Sequence, residues 1–207
     1  MEDADILQRV GAYYTRRLEE FGATPHGVDW SSSDAQSTRF TQLLSVCADD
    51  PSFRLNDIGC GYGALVERVE ALPGCTGYTG YDVAPAMVET ARRRYGERAG
   101  IRFTSSADDV PVADYSVASG IFGVKGDVDA EDWLAYVHRT IDRIRDRSRR
   151  GFAFNALTAY SDPNRMRPDL YYADPHALFA WCRRRHSRNV ALLHDYGLWD
   201  FTIRVRL

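Results

Sequence analysis

Arg54-Leu-Asn-Asp57-Ile-Gly59-Cys60-Gly61-Tyr-Gly63-Ala64-Leu-Val joins a short apolar run to three closely spaced glycines and then to a helical pattern. Glycines at such a junction permit a tight strand-to-helix turn and let a ligand lie against bare backbone. In an open α/β sheet this turn sits at the carboxyl end of a strand, where nucleotide-like cofactors bind. A turn of the same composition also occurs with no ligand at all, so its surroundings have to carry the argument.

Working outward, short apolar runs alternate with helical stretches, the signature of βαβ units and a parallel sheet. The pattern predicts strands at residues 54–58, 78–82, 101–104, 115–121 and 151–155, and helices at 64–72, 86–95 and 130–147. Near the end of the chain, residues 190–194 read as a strand and 196–198 as a turn. Phe201, Ile203, Val205 and Leu207 then alternate with Thr202, Arg204 and Arg206, as in a strand with two unlike faces. The sheet therefore finishes in an antiparallel hairpin, giving an α/β doubly wound, mostly parallel seven-stranded architecture. Two helices precede it. Residues 4–21 place Ile6, Val10, Tyr13, Tyr14, Leu18 and Phe21 at helical intervals, and Ser31-Ser-Ser-Asp34 offers caps for a second helix through about Ala48.

With 207 residues, 44% of them apolar and 27% charged, the chain suits one globular domain, residues 1–50 as a helical cover and 51–207 as the core. A formal charge of −3 argues against a generally basic nucleic-acid binder. Cys47, Cys60, Cys75 and Cys182 form no CxxC pair and no ligand-like cluster with histidine, so reduced thiols and no metal are expected. An acidic N-terminus without a leader pattern, and no apolar stretch of membrane-spanning length, predict a cytoplasmic protein with no membrane partner.

The second predicted strand ends in Asp82, where a carboxylate can take both hydroxyls of a ribose. Spacing alone leaves the cofactor open, because Gly59, Gly61 and Ala64 also satisfy the dinucleotide pattern and keep NAD as a rival. Asp57 favours the other class. A carboxylate beside the turn would repel a pyrophosphate but attract an α-amino group and a sulfonium. Asp82 and Asp108 or Asp109 add to an acid-lined crevice.

From about Phe53 to Leu207 the chain resembles the class I S-adenosylmethionine-dependent methyltransferases. Residues 55–65, LNDIGCGYGAL, are similar to the family's first motif, residues 80–92, GYDVAPAMVETAR, to its second, and residues 114–122, DYSVASGIF, to the strand after the adenine-binding turn. The resemblance implies S-adenosylmethionine as cofactor. Asp57, Gly59, Cys60, Gly61 and Gly63 would hold its amino acid part, Asp82 its ribose, Val83 and Met87 its adenine face, Asp108 or the Ala107 backbone its adenine amino group, and Ser119 would lie on the following strand. Residues 30–40 match a W-x-S-x-x-x-Q-x-x-R-F spacing of small bacterial members through Trp30, Ser32, Gln36, Arg39 and Phe40. Trp30 would flank the cofactor, and Arg39 would pair with its carboxylate or else form a surface salt bridge. The activity implied is methyl transfer to a small-molecule O or N acceptor in specialised metabolism. An NAD-dependent oxidoreductase and a non-catalytic nucleotide-binding module remain the alternatives.

In-line methyl transfer asks the protein to position a nucleophile and keep water out. The N-terminal helices with Tyr13 and Tyr14 are candidates for a lid, or for plain packing on the sheet. Phe122, Asn155, Tyr171 and Tyr172 are the expected substrate contacts, the tyrosines lying in a loop over residues 158–174. His26, in an irregular loop, is the candidate general base, ahead of His194 inside a predicted strand. The arginine-rich runs at 139–150 and 183–186 lack the aromatic interleaving of a nucleic-acid platform.

Overall fold

The computed structural model describes residues 2–207. Seven strands form one sheet: β1 (Phe53–Ile58), β2 (Cys75–Tyr81), β3 (Ile101–Thr104), β4 (Ala113–Ala118), β5 (Ser148–Leu157), β6 (Asn189–Leu193) and β7 (Asp200–Arg206). Their spatial order is β3-β2-β1-β4-β5-β7-β6. Pairings from β3 across to β5 are parallel, and β7 runs antiparallel to both β5 and β6. The order reverses beside β1, so a crevice opens above the carboxyl ends of β1 and β4.

The helices are α1 (Asp3–Phe21), α2 (Ser33–Leu44), α3 (Val66–Val69), α4 (Pro85–Tyr95), α5 (Ala130–Asp146) and α6 (Pro175–Arg185). Alternation along the strands sends side chains to opposite faces of the sheet. Leu55, Tyr115, Val117 and Ala153 pack with Phe40, Leu43, Val66, Val88 and Ala91 on one side. Ala118, Phe152, Phe154 and Ile203 pack with Trp133, Val137, Ile141, Leu178 and Cys182 on the other. Capping explains several helix starts. Ser32 accepts from the Ala35 amide, Asp129 from Glu131, and Asp174 from His176 and Ala177.

Several boundaries differ from the sequence reading. The predicted helix at 64–72 contracts to the single turn α3, flanked by hydrogen-bonded turns such as Val66 to Gly63 and Leu72 to Val69. The second helix stops at Leu44 instead of about Ala48. The fourth strand ends at Ala118, and Ser119 to Ile121 leave the sheet through Gly120 at φ 74°. Helix α6 was not expected. Its signal was present in Asp174-Pro175, a cap followed by proline at the first turn, with Leu178 and Cys182 four residues apart on the buried face.

Candidate cofactor site

Gly59, Gly61 and Gly63 all take positive φ, at 78°, 54° and 83°. They serve different ends. A side chain at Gly63 would press on Tyr95, Ala91 and Phe103, so this glycine lets the chain pack close against α4. Gly59 and Gly61 border a small cavity, also lined by Asp57, Cys60, Tyr62, Ser119, Gly120 and Ile121 from the sheet side and by Tyr14, Val28, Trp30, Gln36 and Phe40 from the N-terminal side.

Two carboxylates stand at this loop. Asp57 is 2% exposed, and its Oδ2 accepts a 2.7 Å hydrogen bond from the Tyr78 hydroxyl. Burial pushes its pKa up to about 7, with the nearby Asp82 charge adding to the rise and the Tyr78 bond opposing it. Asp82 accepts from the Ala84 amide at 2.9 Å and the Gly61 amide at 2.8 Å, which fixes the glycine turn to the end of β2. Burial raises it to about 6 against the pull of those two N–H groups. No arginine or lysine is among the groups acting on either carboxylate. A buried anion without a counter-charge is costly, and a cationic ligand would relieve that cost. Bare glycine backbone, two such carboxylates and a buried Ser119 Oγ with no hydrogen-bond partner together fit an ammonium- and sulfonium-bearing cofactor.

The N-terminal segment lies directly on the loop. Val28 Cγ1 is 3.0 Å from where a Cβ of Gly61 would be, and the Trp30 ring is 2.5 Å from the same point on Gly120. Helix α1 runs from α5, where Asp3 pairs with Arg139 and Arg143, to Val83, on which Gly11 packs. Residues 25–28 form a 3₁₀ turn followed by Asp29, a non-glycine residue at φ 62°, held by Arg17 at 2.8 Å and by the Tyr13 hydroxyl. Burial, then the Asp29 contact, pushes Tyr13 up to about 12, and burial raises Tyr14 as well.

Several candidate residues sit elsewhere than expected. His26 is exposed and its ring faces Phe21 at 6.4 Å, so Val28 and not His26 reaches the cavity from this turn. Arg39 does not form a surface salt bridge. It is 7% exposed, donates to the buried Asp200 and to the Ala35 carbonyl, and stacks its guanidinium 4.0 Å from the Trp30 ring. Phe122 is a core residue, edge-on to Phe154, because its carbonyl is tied to the Trp133 indole. Val83 lies under Gly11, and Met87 is buried with Tyr62 and Ala84 beneath the N-terminal segment. Ala107 and Asp108 stand exposed on a 3₁₀ turn and are not among the residues lining the cavity. Tyr171 packs against the α5 side of the core, and the Tyr172 hydroxyl accepts from the Arg167 amide. His194 lies beyond the end of β6 with its ring beside Tyr160. Asn155 is fully buried and accepts from the Gly120 amide at 2.6 Å.

Tyr78 and Asp200 were missed as supporting residues. Nothing near either in sequence marks it, since their partners are 21 and 161 positions away. Tyr62 donates to Gln36 Oε1 at 3.2 Å, joining the first motif to α2.

Residues 56–143 match the model of a methyltransferase domain. Over 161 residues the chain is 54% identical to Rv1506c of Mycobacterium tuberculosis strain H37Rv, a protein provisionally named a methyltransferase, covering 78% of this chain and 96% of that one. The chain belongs to the S-adenosylmethionine-dependent methyltransferases. This decides between the two cofactors left open by glycine spacing, in favour of S-adenosylmethionine. In fold, the methyltransferase is similar to magnesium protoporphyrin IX methyltransferase of Synechocystis PCC 6803 with bound SAH (TM-score 0.66, 11% identity, 99% of each chain). It is also similar to the N-methyltransferase NodS of Bradyrhizobium japonicum WM9 in complex with SAH (TM-score 0.58, 16% identity, 94% of this chain and 96% of that one). Among the described residues, no helix is long and apolar enough to cross a membrane.

Proposed function

We propose that this methyltransferase acts on a small-molecule acceptor through an O or N atom, with S-adenosylmethionine lying along Gly59–Gly61 and Asp82 beneath the N-terminal segment. The observation that carries this reading is the pair of buried carboxylates, Asp57 and Asp82, with no cationic side chain acting on either. Asp57 would face the amino acid part and Asp82 the ribose, while Ser119 and Trp30 bound the far side of the cavity. The cofactor supplies a methyl group on a positively charged sulfur, and the chain's own residues orient it and keep water away.

The cavity is about 60 Å³, several-fold below the ~300–1,000 Å³ of ordinary ligand pockets. Residues 10–40 therefore have to move outward to admit a cofactor and then reseat on it, so α1, the 3₁₀ turn and Trp30 act as a cover. A cavity roofed by Tyr14, Val28, Trp30 and Phe40 suits an acceptor of low molecular weight better than a polymer.

The test is transfer of a labelled methyl group from S-adenosylmethionine into a cell extract lacking this protein. Label should enter the acid-soluble fraction. Label confined to acid-precipitable RNA or protein would overturn the small-molecule reading.

A further inference from the structure

We propose that Tyr13, Arg17 and Arg167 are positioning residues that latch the N-terminal cover shut by holding Asp29 in a left-handed backbone conformation, so that cofactor exchange waits on their release. The inference rests on the S-adenosylmethionine reading of the cavity and deepens it. Among the described residues, Asp29 is the one non-glycine residue at positive φ, 62°. That conformation is unfavourable for a residue with a Cβ and persists where its surroundings hold it. The residues on either side of it, Val28 and Trp30, both line the cavity, Val28 against Gly61 and Trp30 against Gly120. The backbone at Asp29 therefore sets how both side chains meet the cavity wall.

Asp29 is held from two other segments. From α1, Arg17 Nε lies 2.8 Å from its carboxylate, Arg17 Nη2 donates to the His26 carbonyl at 2.8 Å, and the Tyr13 hydroxyl donates to Asp29. Arg167, in the loop after β5, donates in turn to Tyr13. That loop is fastened down. Arg167 pairs with Asp169, whose carbonyl accepts the Lys125 and Gly126 amides at 3.1 and 3.0 Å, and the Tyr171 amide donates to the Gly123 carbonyl at 2.7 Å. Residues 123–126 follow closely on Gly120, the residue beneath Trp30, so the network leaves the cavity wall at Asp29 and returns to it at Gly120. The turn before Asp29 is already closed locally by the Trp30 amide on the Pro25 carbonyl at 2.9 Å. Its own stability gives no reason for an arginine from a distant loop.

A closed cavity of about 60 Å³ admits no nucleoside, so entry and release both pass through an open cover. Tyr13, Arg17, Asp29 and Arg167 do not line the cavity. Weakening the latch therefore eases opening before and after binding alike and leaves affinity nearly unchanged. Residues that merely pack the bound form behave otherwise: their loss speeds release and lowers affinity without speeding entry.

Stopped-flow fluorescence of the full chain mixed with S-adenosylhomocysteine reads both steps. The limiting rate of binding at high ligand concentration reports opening, and displacement of bound ligand reports release. Tyr13→Phe should raise both rates by about 10-fold, the loss of one hydrogen bond to a charged group, with affinity near that of the parent. Arg167→Met should raise both in the same direction. Asp29→Ala loses the acceptor and disfavours the left-handed backbone, and should raise them most. Asp29→Asn keeps an acceptor and tolerates that backbone, and should restore most of the parent's slow exchange. Faster release with an unchanged limiting rate of binding, or unchanged rates in folded variants that bind S-adenosylhomocysteine, would overturn the latch. Failure of the parent protein to bind S-adenosylhomocysteine would instead remove the cofactor reading beneath it.

Discussion

The glycine loop takes its hydrogen bonds from residues close in sequence, Tyr78 to Asp57 and Gly61 to Asp82, whereas the cover is anchored across the whole chain. Arg39 meets Asp200 at a separation of 161 positions, and Asp3 meets Arg139 at 136. The loop works through backbone, with glycines whose bare Cα atoms leave room for a ligand. The cover works through side chains, with Trp30 held between the Arg39 guanidinium and Gly120. A backbone device tolerates almost no substitution, while a side-chain device fails in degrees according to which partner is lost.

The largest effect should therefore come from the loop. Gly61→Val places a branched residue at φ 54° and a Cβ 3.0 Å from Val28, within the surface proposed to receive the cofactor. Calorimetric titration with S-adenosylhomocysteine should show no binding by the folded variant. Unchanged affinity would move the cofactor off the loop.

Loss of Arg39 should be the next most severe change, and it should act on stability. Asp200 is 2% exposed, burial raises its pKa, and the Arg39 guanidinium is the largest of the influences that oppose the rise. Arg39→Met strands that carboxylate, and breaking a buried pair costs about 3–5 kcal/mol. Denaturant unfolding should show the loss, and Arg39→Met combined with Asp200→Asn should regain part of it. A single variant as stable as the parent would make the pair dispensable.

Asp57 gives a smaller, pH-dependent signature. Its folded pKa of about 7 lies above the ordinary carboxylate value. The protonated form is thus favoured in the folded state, and this group's contribution to stability falls as pH rises from about 4 toward 7. A cation placed beside Asp57 favours the ionised form, so binding S-adenosylhomocysteine near pH 7 should release protons, with little release at pH 8.5, where Asp57 is already ionised. Titrations in buffers of different ionisation enthalpy measure this directly. Asp57→Asn should abolish most of the release at pH 7, and undiminished release would place the cation elsewhere.

The same contrast accounts for what the sequence made legible. Strand positions, the terminal hairpin and the Gly59–Gly63 turn follow from local patterns: apolar periodicity, glycine placement and an acid at the end of β2. Asp57 and Asp82 were readable for the same reason. Arg39 was readable as significant but not as the partner of Asp200, because no local pattern encodes a contact between α2 and β7. His26 and Phe122 show the converse. Their residue types suit chemistry, yet His26 turns outward onto Phe21 and Phe122 turns inward onto Phe154, orientations set by tertiary packing. Helix α6 was obscured by its terminal arginines, which read as a charged run although Asp174-Pro175 marked its start.

In the proposed complex the cofactor lies between the glycine loop and the N-terminal segment. Hydrogen exchange with and without S-adenosylhomocysteine tests it most directly, because the two surfaces report separately. The account predicts slowed exchange on binding both at residues 59–63 and across residues 10–40, with the largest change near Val28 and Trp30. Protection of the loop with unchanged exchange across residues 10–40 would contradict it, leaving the N-terminal helices as permanent packing rather than a cover.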